Sequence, residues 1–138
     1  MDKAEILAFL NEYHDCHLAT VEGNKPHVRA IGIYRADEKG IIIQTSKVKD
    51  LYKQLSANPN VELCFNDAKG SLQVRVSGRL ELDEDIELKK EILAKRQFLK
   101  PIVDQKGLDV LAIYWLKKGL ATAWTFRTNF DPKTYIQL

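Results

Sequence analysis

Residues 27–65 read HVRAIGIYRADEKGIIIQTSKVKDLYKQLSANPNVELCF, and their pattern predicts strand, turn, strand, helix and strand in that order. The run at 41–43 is apolar on both faces, which is typical of a central strand. An amphipathic stripe over 48–55 predicts a helix, which ends before Pro59 because the residue before a proline avoids the α region. The sequence therefore predicts a strand that runs directly into a helix.

The junction at residues 44–49, QTSKVK, brings hydroxyls, amines and free backbone N–H groups together. The N-terminus of a helix carries unpaired donors and the positive end of the helix dipole, so it suits a phosphate group. Thr45 and Ser46 offer hydroxyl hydrogen bonds, while Lys47 and Lys49 supply positive charge. The stretch predicts an anion site; a plain Ser N-cap flanked by two surface lysines is the competing interpretation.

The rest of the chain adds strands and helices around this centre. Residues 71–82 alternate between apolar and polar positions and predict one long strand, with a bulge or tight bend at Gly78. Helices are predicted over residues 2–15 and 83–98, and residues 101–107 are predicted to be an irregular link. About seven strands with short connections require antiparallel pairing. We therefore predict a small antiparallel barrel with peripheral helices.

The composition limits the classes of function. The chain has 138 residues, of which 45% are apolar and 29% charged, so we expect one globular domain over residues 1–138. The net charge of +2 makes no case for nucleic acid or an anionic membrane as partner. No signal peptide or membrane span is recognisable, so a cytoplasmic location is expected. Cys16 and Cys64 lack CxxC spacing and are predicted to be buried, reduced thiols.

Signatures of common enzyme classes are missing from the sequence: it contains no GxSxG, P-loop, HExxH or GxGxxG, and its histidines are not at metal-ligand spacing.

Other residues extend the candidate anion site. Arg29 interrupts a mainly apolar strand, where a charged residue faces solvent or pairs with an anion. Gln73 offers a polar contact and Trp124 a flat apolar surface with one donor, although an exposed strand face and a core position also explain them. Together these groups suit a planar, phosphate-bearing cofactor, and flavin mononucleotide (FMN) fits best.

On these motifs the chain resembles the pyridoxamine 5′-phosphate oxidase-like family of FMN-binding split barrels. Three stretches carry the resemblance: HVRAIGI at 27–33, QTSKVKDLYKQLSANPNVELCF at 44–65 and LQVRVSGRLEL at 72–82. The resemblance implies a mainly β fold, an antiparallel, Greek-key-like split β-barrel of six to seven strands with about three helices. It also implies a homodimer with FMN bound at the subunit interface.

The resemblance further implies which residues hold the cofactor. The strand around Arg29 would lie along the flavin ring, with the arginine itself near the phosphate. The strand-to-helix junction would grip the ring edge and the phosphate, and the choice between Lys47 and Lys49 for the phosphate stays open. The implied FMN-binding residues are Val28, Arg29, Ala30, Ile31, Gln44, Thr45, Ser46, Lys47, Lys49, Gln73 and Trp124.

The chain also departs from the family's oxidase proper. That enzyme has a C-terminal Arg-x-His substrate motif, which Phe126-Arg127-Thr128 does not replace, and a lysine where this chain has Tyr34. We therefore expect a flavin-dependent oxidoreductase with an unknown small-molecule substrate or an electron donor such as NAD(P)H. Open alternatives are a non-catalytic flavin-binding or sensor protein, and a split barrel that binds haem or the deazaflavin F420. For haem, His27 is the one histidine near the predicted site.

Overall fold

The computed structural model describes residues 1–138 and consists of two antiparallel sheets with helices at their periphery. The strands are β1 (Asp15–Glu22), β2 (Lys25–Gly32), β3 (Arg35–Asp37), β4 (Gly40–Ser46), β5 (Asn60–Asn66), β6 (Leu72–Arg79), β7 (Glu81–Asp83), β8 (Leu111–Leu116), β9 (Leu120–Thr125) and β10 (Ile136–Gln137). The helices are α1 (Lys3–Glu12), α2 (Asp50–Ala57), α3 (Ile86–Lys95) and α4 (Lys100–Lys106), with short 3-10 turns at Gln97–Leu99 and Leu108–Val110.

The two sheets face each other across the main core. The six-stranded sheet has the order β10-β9-β6-β5-β1-β2, and the four-stranded sheet has the order β3-β4-β8-β7. Alternate residues of β5, such as Val61, Leu63 and Phe65, point into this core as their period-two pattern predicts. A smaller apolar cluster, including Ile42 and Ile113, lies on the other face of the four-stranded sheet beneath α3 and α4. Strand β4 is therefore buried on both faces, as predicted for 41–43.

The structure confirms the predicted fold class, a mainly β antiparallel split barrel. The predicted number of strands, about seven, equals the number of strands that have six residues or more. These are β1, β2, β4, β5, β6, β8 and β9. The other three are only two or three residues long, too short to leave a periodic signal in the sequence. No helix is both long and apolar enough to cross a lipid bilayer.

Two predicted elements need correction. Residues 71–82 are not one strand, because the chain leaves the six-stranded sheet after Arg79, buries Leu80 in the core and joins the other sheet as β7. Gly78 stays paired with Val61, so it is not bulged; a Cβ at this glycine would lie 3.1 Å from the Leu116 side chain. Residues 101–107 are mostly helical rather than irregular, since Pro101 lies in the first turn of α4, where its missing N–H costs nothing.

Candidate functional site

A cleft of about 1000 Å³ opens between β2, the end of β4 and the start of α2. This volume is at the upper end of the roughly 300–1,000 Å³ that is typical of small-molecule sites. Strand β2 is the edge of the six-stranded sheet, so the backbone groups on its outer side have no strand partner. The residues of the sequence-predicted site that line the cleft are Val28, Arg29, Ala30, Ile31, Gln44, Thr45 and Lys49.

Arg29 projects from β2 toward α2. Its guanidinium donates to the Thr20 hydroxyl at 2.9 Å, to the Leu18 carbonyl at 3.2 Å and to Oε1 of Gln54 on α2. Burial lowers the pKa of this guanidinium from its ordinary value, because removing a charge from water disfavours it. All its acceptors are neutral, so the positive charge is oriented by hydrogen bonds but remains uncompensated.

The start of α2 differs from the Ser N-cap of the competing interpretation. A short turn separates β4 from α2, and the N-cap residue is Lys49, which makes no side-chain capping hydrogen bond. The Ser46 hydroxyl instead accepts from the Val48 N–H at 3.3 Å, and Ser46 itself does not line the cleft. The first backbone N–H groups of α2 therefore stay uncapped beside Lys49, which lines the cleft together with Asp50 and Leu51.

Lys47 points away from the cleft, although it is only two residues from Lys49. Its amine lies 3.0 Å from Glu84 and 3.3 Å from Asp109, and these carboxylates raise the pKa of Lys47 against the opposing effect of burial. Buried Lys89 shares the same carboxylates, at 3.3 Å from Glu84 and 3.8 Å from Asp109. Lys47 thus belongs to an ion-pair cluster that ties the β4–α2 turn to the start of α3.

Several residues outside the predicted site also line the cleft, and two of them, Arg96 and Phe98, belong to the segment after α3. Arg96, the C-cap residue of α3, donates to Oε1 of Gln44 at 2.5 Å and to the Gly32 and Ile33 carbonyls at 3.3 Å and 2.6 Å. Phe98 lines the same end of the cleft and is 71% exposed. In the sequence they are simply a basic and an aromatic residue that follow a helix, and this pattern does not indicate a ligand-binding site.

Positive charge therefore predominates in the cleft. Arg29, Lys49 and Arg96 all line it, and their hydrogen bonds go to neutral acceptors or to none within the chain. Asp15 and Asp50 are the lining carboxylates, and neither forms an ion pair with these three cations. An anionic ligand would supply the charge that the protein leaves unbalanced.

Gln73 and Trp124 lie elsewhere, in a second groove of about 830 Å³ on the outer face of the six-stranded sheet. They are directly opposite each other on β6 and β9, and the Trp124 indole donates to Oδ1 of Asn129 at 2.7 Å. Strand β6 is three strands from β2 and β9 is four, which puts these residues roughly 14–19 Å from the cleft. Within one subunit they therefore do not meet the other predicted site residues.

The two predicted thiols offer little chemistry, and the cleft is lined by two histidines rather than by His27 alone. Cys16 and Cys64 are both free, and burial raises the pKa of Cys16 to about 12, which keeps it protonated and unreactive. Cys64 is only half-buried, on the opposite face of its sheet. His14 and His27 both line the cleft; Nε2 of His27 is buried without a hydrogen-bond partner at 3.7 Å from Glu22, and Nε2 of His14 lies 3.7 Å from Asp15.

Comparisons with known proteins agree with this architecture. The family model described as pyridoxamine 5′-phosphate oxidase matches residues 2–116, which is most of the chain. A NimC/NimA family protein from Clostridium acetobutylicum superimposes with a TM-score of 0.78 and 29% identity, over 98% of this chain and 92% of that one. A pyridoxamine 5′-phosphate oxidase-related, FMN-binding protein from Nostoc punctiforme has the same fold, with a TM-score of 0.68 and 18% identity over 96% of this chain and 87% of that one.

Similarity to full-length oxidases covers less of the molecule. A pyridoxine/pyridoxamine 5′-phosphate oxidase from Burkholderia mallei is 38% identical over 80 residues, which represent 57% of this chain but only 37% of that protein. The chain thus matches little more than a third of the length of this relative. The family model spans both strands and the helix that form the cleft. On this match the chain belongs to the pyridoxamine 5′-phosphate oxidase-like family.

Proposed function

We propose that residues 1–138 act as one FMN-binding domain and that the protein is a flavin-dependent oxidoreductase. The observation that carries this proposal is the combination of Arg29, Lys49 and the uncapped start of α2 in one cleft. These groups surround a space that favours a phosphate, and the cleft continues along the edge strand β2. The FMN-binding relative from Nostoc punctiforme has this fold, which supports the choice of FMN as the phosphate-bearing ligand.

At the phosphate end, the expected ligands are the Arg29 guanidinium, the Lys49 amine and the first N–H groups of α2. The Arg29 side chain is already oriented by Thr20 and Gln54, so binding an anion requires little additional ordering. The open choice between the two lysines is resolved in our proposal in favour of Lys49. Lys47 is engaged by Glu84 and Asp109 and would have to break both contacts to reach the cleft.

The flavin ring is proposed to lie along β2, beside Val28, Ala30 and Ile31. Val28 is 68% exposed, and a planar ring would cover this apolar surface. Bound flavin would supply the hydride- and electron-transfer chemistry, because no set of protein residues here carries redox chemistry of its own. The protein would bind and orient the ring, exclude water from one of its faces and present hydrogen-bond donors to its edge.

A homodimer would place the second groove of one subunit against the cleft of the other. Gln73 and Trp124 are too far from the cleft to touch a ring bound to the same subunit, but a second copy packed against the outer sheet face could bring its own pair there. The Thr122 hydroxyl, buried in the second groove without a hydrogen-bond partner, is a group that such packing could satisfy. We propose that each FMN site is completed by the groove of the partner subunit.

Haem binding in the cleft would require an axial ligand. Two histidines line the cleft: Nε2 of His27 is buried next to Glu22, whereas the His14 side chain is exposed and its Nε2 lies 3.7 Å from Asp15. We favour flavin over haem because the FMN-binding relative has this fold. F420 carries phosphate as well and would use the same cationic groups. An absorption spectrum of the purified protein separates these ligands, because flavin, deazaflavin and haem have different visible bands.

The direct test is to add FMN to the purified protein, desalt it and record the visible spectrum. We expect flavin bands that remain with the protein at a ratio of one FMN per chain, and weaker retention by the Arg29→Gln variant. A protein that retains no FMN would refute the cofactor assignment. The oxidoreductase assignment is tested separately by adding NADH or NADPH without oxygen: bleaching of the bound flavin, followed by turnover with an acceptor, supports it, and persistent oxidised flavin contradicts it.

A further inference from the structure

Arg96 is held in one orientation by acceptors from different parts of the fold. Its guanidinium donates to the Gly32 and Ile33 carbonyls at the end of β2 and to Oε1 of Gln44 on β4. The Tyr34 ring lies against it, with the guanidinium carbon 5.3 Å from the ring centroid. No carboxylate forms an ion pair with Arg96: Glu91 pairs with the Tyr34 hydroxyl and with Arg35. Burial lowers the pKa of Arg96, and Asp15 acts on the guanidinium only at longer range, where it raises that pKa by a smaller effect. Because this guanidinium is fixed and partly buried, it fixes in turn the orientation of the groups that accept its hydrogen bonds.

The contact fixes the direction of the Gln44 side-chain amide. A guanidinium only donates hydrogen bonds, so the amide atom that faces Arg96 must be the oxygen. The Gln44 nitrogen then points away from Arg96 and makes no hydrogen bond with any protein acceptor, while Gln44 lines the cleft. Both of its N–H groups are therefore available to a ligand.

The same arrangement occurs at the other end of the cleft. Arg29 holds Oε1 of Gln54, and the nitrogen of that amide also makes no hydrogen bond with the protein. Arg96 additionally engages the Gly32 carbonyl, which would otherwise offer an acceptor to the cleft. Each arginine thus converts a glutamine, which can donate or accept, into a donor. Beside both arginines, the glutamine side chains therefore present donors to a ligand that is rich in acceptors.

We propose that Arg96 is a positioning residue for the cofactor: it holds Gln44 as a hydrogen-bond donor to a carbonyl oxygen of the flavin pyrimidine ring. This inference rests on the proposed function. The pyrimidine end of a flavin carries the carbonyl acceptors and gains negative charge on reduction, whereas the dimethylbenzene end has no acceptor. A fixed donor at Gln44 orients the ring with its pyrimidine end toward α3, and it stabilises the reduced, anionic form.

A double-mutant cycle tests whether Arg96 acts through Gln44. The variants are Arg96→Met, Gln44→Met and the two combined, and the readouts are the Kd for FMN from fluorescence titration and the midpoint potential of bound FMN. We expect each single substitution to weaken binding roughly three- to tenfold, the range for a lost hydrogen bond, and to make the potential more negative. The double variant should match Gln44→Met within a factor of about two.

Arg35→Met is the matched control. Arg35 also lies over the Tyr34 ring, at 5.7 Å, but it pairs with Asp37 and Glu91 and does not contact Gln44. Its loss should leave both the Kd and the potential unchanged. If Arg96→Met weakens binding equally with and without Gln44, Arg96 acts by its charge alone and the inference is wrong.

A variant that keeps the Arg96 contact covers the case in which Arg96→Met does not fold. Gln44→Glu can still accept from Arg96 but has no N–H to offer the cleft. We expect weaker FMN binding and a more negative potential, and unchanged values overturn the inference. If the unmodified protein binds FMN normally and these variants do too, only the role of Arg96 is refuted; if the unmodified protein binds no FMN, the proposed function fails as well.

Discussion

Lys47 and Lys49 are separated by one residue, yet their side chains serve different parts of the molecule. Lys49 is the N-cap residue of α2 and lines the cleft, whereas Lys47 pairs with Glu84 and Asp109. The sequence alone did not separate them, because both are basic residues in an uncapped turn. Their side chains differ in direction because Glu84 and Asp109, both more than thirty residues further along the chain, bind Lys47.

This difference yields a paired prediction. Lys49→Met should raise the Kd for FMN roughly tenfold, because it removes a charge-assisted contact to the phosphate. Lys47→Met is the matched control, with the same change of charge at a side chain outside the cleft; we expect its FMN affinity to stay within about twofold. Fluorescence titration of both variants measures the effect. Equal losses of affinity would mean that only overall charge matters, contrary to the proposed phosphate site.

Cys16 gives a prediction on pH. Burial raises its pKa from 9.0 to about 12. A thiol with a higher pKa in the folded than in the unfolded chain stabilises the fold below the unfolded pKa, and that contribution is lost as the pH rises above it. Above pH 9 the free energy of unfolding should therefore fall by up to about 1.4 kcal/mol per pH unit on this account.

The Cys16→Ala variant tests this prediction by urea unfolding between pH 8 and pH 10.5. Alanine leaves a small cavity and lowers stability at every pH, so the measured quantity is the slope and not the absolute value. We expect a shallower alkaline decline in the variant. Curves that fall in parallel would show that the thiol does not contribute to the pH dependence.

The cleft residues that were predicted stand out by local patterns in the sequence. Arg96 does not. Arg29 was conspicuous as a charge inside an apolar strand, and Gln44, Thr45 and Lys49 belong to one short stretch. Arg96 reaches Gln44 only because α3 packs on the four-stranded sheet, a contact across 52 positions of sequence. Periodicity reports which face of an element is apolar but not which distant element covers it.

Among the elements, the turn before β4 depends on one glycine. Gly40 has a φ of +141°, and a Cβ there would lie 2.4 Å from the Leu116 carbonyl oxygen on the neighbouring strand β8. Both the backbone angle and the close approach exclude a side chain. Gly23, in the turn between β1 and β2, has a φ of +59° but open space around it.

We therefore expect Gly40→Ala to destabilise the protein by about 3 kcal/mol or more, the sum of backbone strain and a displaced strand. Gly23→Ala should cost only about 1 kcal/mol, from the left-handed backbone alone. Urea unfolding of the two variants measures the difference. Equal destabilisation would show that β4 and β8 can separate at this point without loss.

Most of the strands and helices were predicted correctly from the sequence. Strands with clear alternation, such as β5, and the doubly apolar β4 were found. The division of residues 71–82 between β6 and β7 was missed, because alternation continues through Leu80 while the chain changes sheets. Short elements such as β10 depend on pairing with β9, which local sequence does not encode.

For the molecule as a whole, the separation of the cleft from the second groove predicts self-association. The proposed completion of each site requires a dimer, so sedimentation velocity should give twice the chain mass of 15.8 kDa. The Trp124→Leu variant should then bind FMN more weakly, although Trp124 is far from the cleft of its own subunit. A monomer that binds FMN with full affinity would contradict the shared site.

The proposed function depends on where the FMN phosphate binds, and a crystal structure of the protein with FMN would locate it. We predict that phosphate oxygens lie within roughly 3 Å of the Arg29 guanidinium or the Lys49 amine and face the start of α2. The ring should follow β2 with its pyrimidine end toward Gln44. A phosphate bound outside this cleft, for example beside Arg75 in the second groove, would contradict the account.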